Sequence, residues 1–172
     1  MNQFKFLDES SVNLSFTRLY GRAAPGERVV DHTPQPAGCQ TTTLAVIGLE
    51  GITAPLVLSG AVNGLVFYGY LQQCVVPTLK PGDILFMDNL TAHKVTGIEA
   101  LIRAGGAELI YLPPYSPDLN PIELAWSKIK TILRRLKART FSDLIEALKQ
   151  ALLAITPQDI QGWFGHCGYA II

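Results

Sequence analysis

The stretch Leu112–Trp126, LPPYSPDLNPIELAW, decides how this chain is read. Four prolines fall within its first ten residues, and a helical pattern follows at once. Each proline fixes its own φ and pushes the preceding residue out of the helical region, so the lead-in is rigid and extended. Pro121 suits the first position of a helix and Asn120 the cap before it, which predicts a helix beginning at about Asn120. Ile122, Trp126, Ile129, Leu133 and Leu136 then recur at steps of three and four and form an apolar stripe. Glu123, Ser127, Lys130 and Arg134 follow the same steps one residue later. The lead-in therefore delivers one carboxylate, Glu123, to a set place on a rim shared with two cations. A first-turn glutamate that only complements the helix dipole would give the same pattern, so the stretch means chemistry only in company.

Working outward, Glu108–Leu112 reads as the strand before the lead-in. A helix from about Val95 to Ala104 precedes it and stops at Gly105-Gly106. Before that helix stands Asp83–Met87, DILFM, a compact apolar run of the kind buried on both faces of a parallel sheet, ending in Asp88 and Asn89. Asn63 caps an expected helix from Gly64 to about Val76, and Pro81-Gly82 marks a turn. Thr41–Leu49 and Ile52–Leu58 read as a hairpin about Glu50-Gly51. At the start, Gln3–Leu7 reads as a strand presenting Asp8 at its end. Val12–Thr17 alternates as a second strand or extended edge, Pro25-Gly26 turns, and His32–Gln40 is a proline-bearing loop. Beyond the central helix, Ser142–Ala154 and Pro157 to about Phe164 fit two more helices. Hairpin strands followed by alternating helix and strand predict an α/β fold, a mixed five-stranded sheet flanked by helices.

Composition sets the bounds. With 48% hydrophobic and 16% charged residues in 172, residues 1–172 suffice for one domain with a sizeable core. Fourteen cations balance fourteen anions, so no global basic field points to nucleic acid. Yet Lys128, Lys130, Arg134, Arg135, Lys137 and Arg139 stand together with no acid among them, either as a solvated face or as a strip for phosphates. Cys39, Cys74 and Cys167 are odd in number and unpaired in spacing, which fits a reducing compartment and neither a disulfide framework nor a zinc site. The uncharged run Gly51–Leu79 is broken by glycines, Pro55 and polar residues, so it fits a buried strand and helix better than a membrane span.

Asp8 and Asp88 are both expected at the carboxyl ends of strands, the edge where open α/β sheets form ligand sites, and Glu123 is carried to the same rim. Three carboxylates together repel one another unless a hard cation with oxygen preference lies between them, and magnesium is the natural candidate. Two such ions support phosphoryl transfer without a covalent protein intermediate. Read singly, the two aspartates are ordinary turn residues after strands.

Phe6-Leu7-Asp8-Glu9, Met87 to His93 (MDNLTAH) and Leu112 to Glu123 resemble, in order and wording, the three catalytic blocks of mariner-type DDE transposases, especially the bacterial insertion-sequence branch. Thirty-four residues stand between Asp88 and Glu123, the separation that marks that superfamily. Tyr20-Gly21-Arg22, Pro25 to Arg28 and His166 to Tyr169 also look like family segments, so the resemblance spans essentially the whole chain. It implies a ribonuclease-H-like fold and metal-dependent cutting of transposon ends. It also implies transfer of the freed 3′ hydroxyl into target DNA, typically at a flexible TA step.

The resemblance makes Asp8, Asp88 and Glu123 the ligands of two Mg2+ ions, with Mn2+ able to substitute. Glu9, Asn89, His93 and Asp118 become candidates for supporting or positioning roles. Asp118 is the rival to Glu123 as third ligand; its loop position and the spacing favour Glu123. Lys130, Arg134, Arg135, Lys137 and Arg139 are the candidates for holding the DNA backbone. A bacterial, nucleoid-associated enzyme in the cytoplasm follows, acting on DNA as a homo-oligomer. Family members ordinarily carry an N-terminal helix-turn-helix region. Its expected absence here implies a separate DNA-reading polypeptide, a frameshift-fused half, or a truncated remnant. A ribonuclease-H-like nuclease acting on RNA, and an inactive transposase serving as a binding module, are the rival functions.

Overall fold

The computed structural model describes residues 4–32, 34, 40–90 and 93–169. Five strands, β1 (Phe4–Val12), β2 (Thr41–Gly48), β3 (Gly51–Ser59), β4 (Ile84–Met87) and β5 (Glu108–Tyr111), form one sheet in the order β3-β2-β1-β4-β5. The hairpin strands are antiparallel to one another and to β1, whereas β1, β4 and β5 run parallel. The expected mixed sheet is present, and its parallel half is where the helical crossovers lie.

Helices cover both faces, and strand alternation shows why. On one side Phe6, Ala45 and Ile47 meet α3 (Pro121–Leu136), α4 (Phe141–Leu153) and α5 (Pro157–His166). On the other, Leu7, Leu44, Val46, Leu85 and Met87 meet α1 (Gly64–Tyr70), the helical turns that continue it to Thr78, and α2 (Ile98–Ala104). Neighbouring strand residues thus feed opposite cores, as a period of two requires. The α3 stripe is buried as its spacing predicts, with Trp126 only 2% exposed, except that Leu136 at its end reaches solvent. Thr140 and Thr156 cap α4 and α5, and Asp159 completes a capping box in the latter.

Four local expectations need correction. The first strand does not stop at Leu7: β1 continues through Asp8 to Val12, because β2 supplies an antiparallel partner for every residue from Phe6 onward. Residues 13–17 form a turn and irregular chain instead of a second strand. The hairpin turns at Leu49-Glu50, and Gly51, at φ 139°, already belongs to β3. Helix α2 begins at Ile98 rather than Val95, since Gly97 sits in the left-handed region that a helix interior excludes. The Pro25-Gly26 turn is present, closed by the Glu27 N–H on the Ala24 carbonyl at 3.0 Å. Most of the expected His32–Gln40 loop, together with Gln3 and Thr91-Ala92, lies outside the described residues. Among the described residues no helix is long and apolar enough to cross a membrane.

Candidate active site

Register places the two aspartates side by side. Leu7 pairs with Met87 across β1 and β4, so Asp8 and Asp88 each stand one residue past that rung. Asp8 occupies the middle of its strand but the end of the parallel pairing, which is the carboxyl edge of the β1–β4–β5 half. Asp8 shares the parity of Phe6, so its side chain lies on the α3 face. The lead-in runs from β5 over this edge, through a 3-10 turn at Pro117–Leu119, and starts α3 at Pro121. Glu123 enters in the first turn of that helix.

A cleft of about 350 Å3 opens here, lined by Asp8, Asp88, Asn89, Asn120, Glu123 and the proline lead-in. Asp8 is 5% exposed, and burial, then the charge of Glu123, then that of Asp88, pushes its carboxyl up to about 7 against the pull of the Glu9 backbone N–H. Asp8 therefore feels both of the other acids across one cleft. Asp88 is held from outside it: His93 Nδ1 meets Asp88 Oδ1, and since a carboxylate only accepts, Nδ1 carries the proton. The His93 ring is 1% exposed and stacks on Phe67 at 4.2 Å between centroids. Its carbonyl accepts from the Tyr111 hydroxyl at 2.9 Å. Such a bond fixes the orientation of the aspartate it touches.

Two sequence candidates stand apart from the cleft. Glu9 follows Asp8 on the strand and so faces the opposite side of the sheet. Asp118 is exposed in the 3-10 turn outside the cleft lining, and its charge acts on Cys167. Glu123, not Asp118, is the acid that the lead-in brings to Asp8. Asn120, read from sequence as a cap, does not cap with its side chain. It is 4% exposed with Oδ1 lacking any partner, and the only sequence sign of this was its place three residues before Glu123 in a proline-bracketed run.

The donor set fits a hard cation. Asp8 Oδ2, Asn89 Oδ1 and Asn120 Oδ1 are buried oxygens without hydrogen-bond partners, all from residues lining this cleft, and unsatisfied buried acceptors are costly unless something positive meets them. Hard divalent ions take carboxylate and amide oxygens. Asp8, Asp88 and Glu123 line the cleft without closing on one point: among the described residues no three His, Cys, Asp or Glu side chains are gathered tightly enough to hold a metal. Mutual repulsion favours such spacing. A larger hollow, about 430 Å3, lies at the opposite ends of β4 and β5, where Glu99 and Arg103 pair with each other at 2.7 Å. It is at the wrong edge of the sheet for the usual α/β site.

The basic strip is partly engaged within the chain. Arg134 lies over the Phe16 ring at 5.0 Å, Lys137 meets Asp31 at 2.6 Å, and Arg139 donates to the Leu14 and Phe16 carbonyls at 2.9 and 3.0 Å. These cations tie Leu14, Phe16 and Asp31 to the last turn of α3 and the residues after it, long-range contacts that helical spacing alone does not reveal. Arg135 belongs to the last turn of α3 and is exposed. Lys130, half-buried, stays on the Glu123 face.

A mixed five-stranded sheet, helices on both faces and acids at the carboxyl edge of its central strands define a ribonuclease-H-like fold. The model of the family described as DDE superfamily endonuclease matches residues 3–145, and the chain belongs to that family. Among solved structures, the Mos1 transposase paired-end complex with left transposon end is similar at a TM-score of 0.75 and 16% identity, over 95% of this chain and 52% of that one. The Mos1 mariner paired end complex with Mn gives 0.74 and 17%, over 96% and 52%. The catalytic domain of Mos1 mariner transposase gives 0.68 and 14%, over 96% and 78%. The chain thus has the fold of a mariner transposase catalytic domain and spans about half the length of the first two of these proteins. No curated protein sequence matches it.

Proposed function

We propose that this chain is the catalytic part of a DNA transposase, cutting phosphodiester bonds at element ends and joining the freed 3′ hydroxyl to target DNA with Mg2+, or Mn2+, held by Asp8, Asp88 and Glu123. The observation that carries the reading is the carboxyl of Asp8, buried at the sheet edge and acted on by the charges of both Glu123 and Asp88. Membership of the endonuclease family supports it, as do similar structures that are complexes with a transposon end and with Mn. When bound, a pair of divalent ions activates the attacking oxygen and stabilises the leaving one.

The chain's own residues do the positioning. Asp8 is fixed by a strand hydrogen-bonded on both sides, Asp88 by the buried His93, and Glu123 by a lead-in that prolines keep from collapsing. Lys130 and Arg135 supply backbone contacts to DNA phosphates, which position without reading sequence. A similar structure is a paired-end complex with a transposon end, which supports DNA ends as the partner. Incubating the chain in Mg2+ with labelled DNA 3′ ends and a target duplex tests the reading. Joined products support transposase chemistry, while hydrolysis of the RNA strand of a hybrid without joining reassigns the chain to a ribonuclease-H-like role.

A further inference from the structure

We infer that Asn120 is a fourth, neutral oxygen ligand of the cation held in the Asp8–Glu123 cleft. The inference rests on the cation-site reading above and adds to it a residue that the three acids do not include.

The local backbone shows what Asn120 is not doing. A cap side chain accepts from the backbone N–H of the second or third helical residue. Here the Glu123 N–H already goes to the Asn120 backbone carbonyl at 3.1 Å, Pro121 has no N–H, and no side-chain cap bond is formed. The Asn120 Oδ1 is instead buried in a residue only 4% exposed, with no partner, in the wall of the cleft that holds Asp8 and Glu123. The Asp8 Oδ2 in that wall is equally buried and equally unpartnered. Once Asp8 is ionised, two orphaned acceptors in one acidic cleft cannot satisfy each other, since neither then carries a proton to donate. A hard cation satisfies both, and amide oxygens are ordinary ligands for such ions. Neutrality has its own logic: another carboxylate would add to the repulsion among three acids that line one cleft, whereas an amide adds a donor atom without charge.

The test measures Mn2+ binding by the disappearance of the free-ion paramagnetic resonance signal, and thermal stability in EDTA and in Mn2+, for the parent, Asn120→Ala and Asn120→Asp. A ligand role predicts about tenfold or more weaker Mn2+ binding in Asn120→Ala, the scale at which losing a group that supports a metal site is felt. Its stability in EDTA should be equal to or above that of the parent. Asn120→Asp should be less stable than the parent in EDTA and gain more from Mn2+. Parent-like Mn2+ affinity in Asn120→Ala with lowered stability in EDTA would make Asn120 a structural residue and overturn the inference while leaving the three-acid site intact. If Asn120→Ala does not fold, a gain from Mn2+ in Asn120→Asp no larger than in the parent overturns it equally. A parent that binds no Mn2+ sinks the inference together with the cation-site reading.

Discussion

Replacing Asp8 by Asn should stabilise the fold at neutral pH and remove a pH dependence that the parent shows. The Asp8 carboxyl is raised from 3.8 to about 7, first by burial and then by Glu123 and Asp88. Between those two values the folded chain holds a proton that the unfolded chain has released. Stability therefore falls as pH rises through this window, by about 1.4 kcal/mol per unit at most, and levels off above about 7. The whole shift corresponds to about 4 kcal/mol at alkaline pH, of which about 2.5 kcal/mol is lost between pH 5 and 8. For a domain of this size that is roughly 5–10 °C in Tm. The lowered carboxyls of Asp31, Glu50 and Asp159 act in the opposite direction but below this window, where their stabilisation is lost as pH falls. Thermal and denaturant unfolding in EDTA at pH 5, 6, 7 and 8 reads the effect. The parent should lose stability across the series, while Asp8→Asn should stay level and exceed it at pH 8. A parent curve that is level, or an Asp8→Asn curve that falls in parallel with it, would refute the reasoning that Asp8 is buried among like charges.

Other outcomes follow from the same geometry. Asp118→Ala should retain cleavage while Glu123→Gln loses it, since only Glu123 faces Asp8; paired cleavage assays in Mg2+ decide between them. Lys130→Ala and Arg135→Ala should each lower the slope of log affinity against log salt by up to about 0.9 on duplex DNA, read from salt titrations of binding. Lys137→Ala should leave that slope near the parent value, because Lys137 is engaged with Asp31. Trp126→Ala, emptying the α3 core, should cost about 3–5 kcal/mol in denaturant unfolding.

The mixed five-stranded sheet and the α3 rim were legible because both rest on strong local signals, whereas the strand order β3-β2-β1-β4-β5 was not read from the sequence. Prolines from Pro113 to Pro121 left the chain few ways to enter a helix, and the stripe from Ile122 to Leu133 had only one face to bury. The length of β1 was not legible. Asp8-Glu9-Ser10-Ser11 reads as a polar stop, yet a central strand is carried onward by ladder bonds to β2, and Thr41–Thr43 opposite are themselves polar. The grip of Arg134, Lys137 and Arg139 on Leu14, Phe16 and Asp31 was hidden for a different reason: it joins segments more than a hundred residues apart, with no periodicity to announce it. Asn120 stands at the N-cap position as read from the sequence, but its side chain makes none of the cap bonds that an asparagine before a helix ordinarily makes. Only the atoms showed that its backbone carbonyl had taken the N–H and left the amide oxygen facing the acids' cleft.

The central claim is that Asp8, Asp88 and Glu123 act together through a divalent cation on DNA. Cleavage of a labelled duplex in Mg2+ and in EDTA, by the parent and by Asp8→Asn, Asp88→Asn and Glu123→Gln variants shown to be folded, tests it most directly. Strand cutting by the parent in Mg2+ alone, with loss in all three variants, is the predicted result. Cutting that persists in EDTA, or full activity in any one of the three, would contradict it.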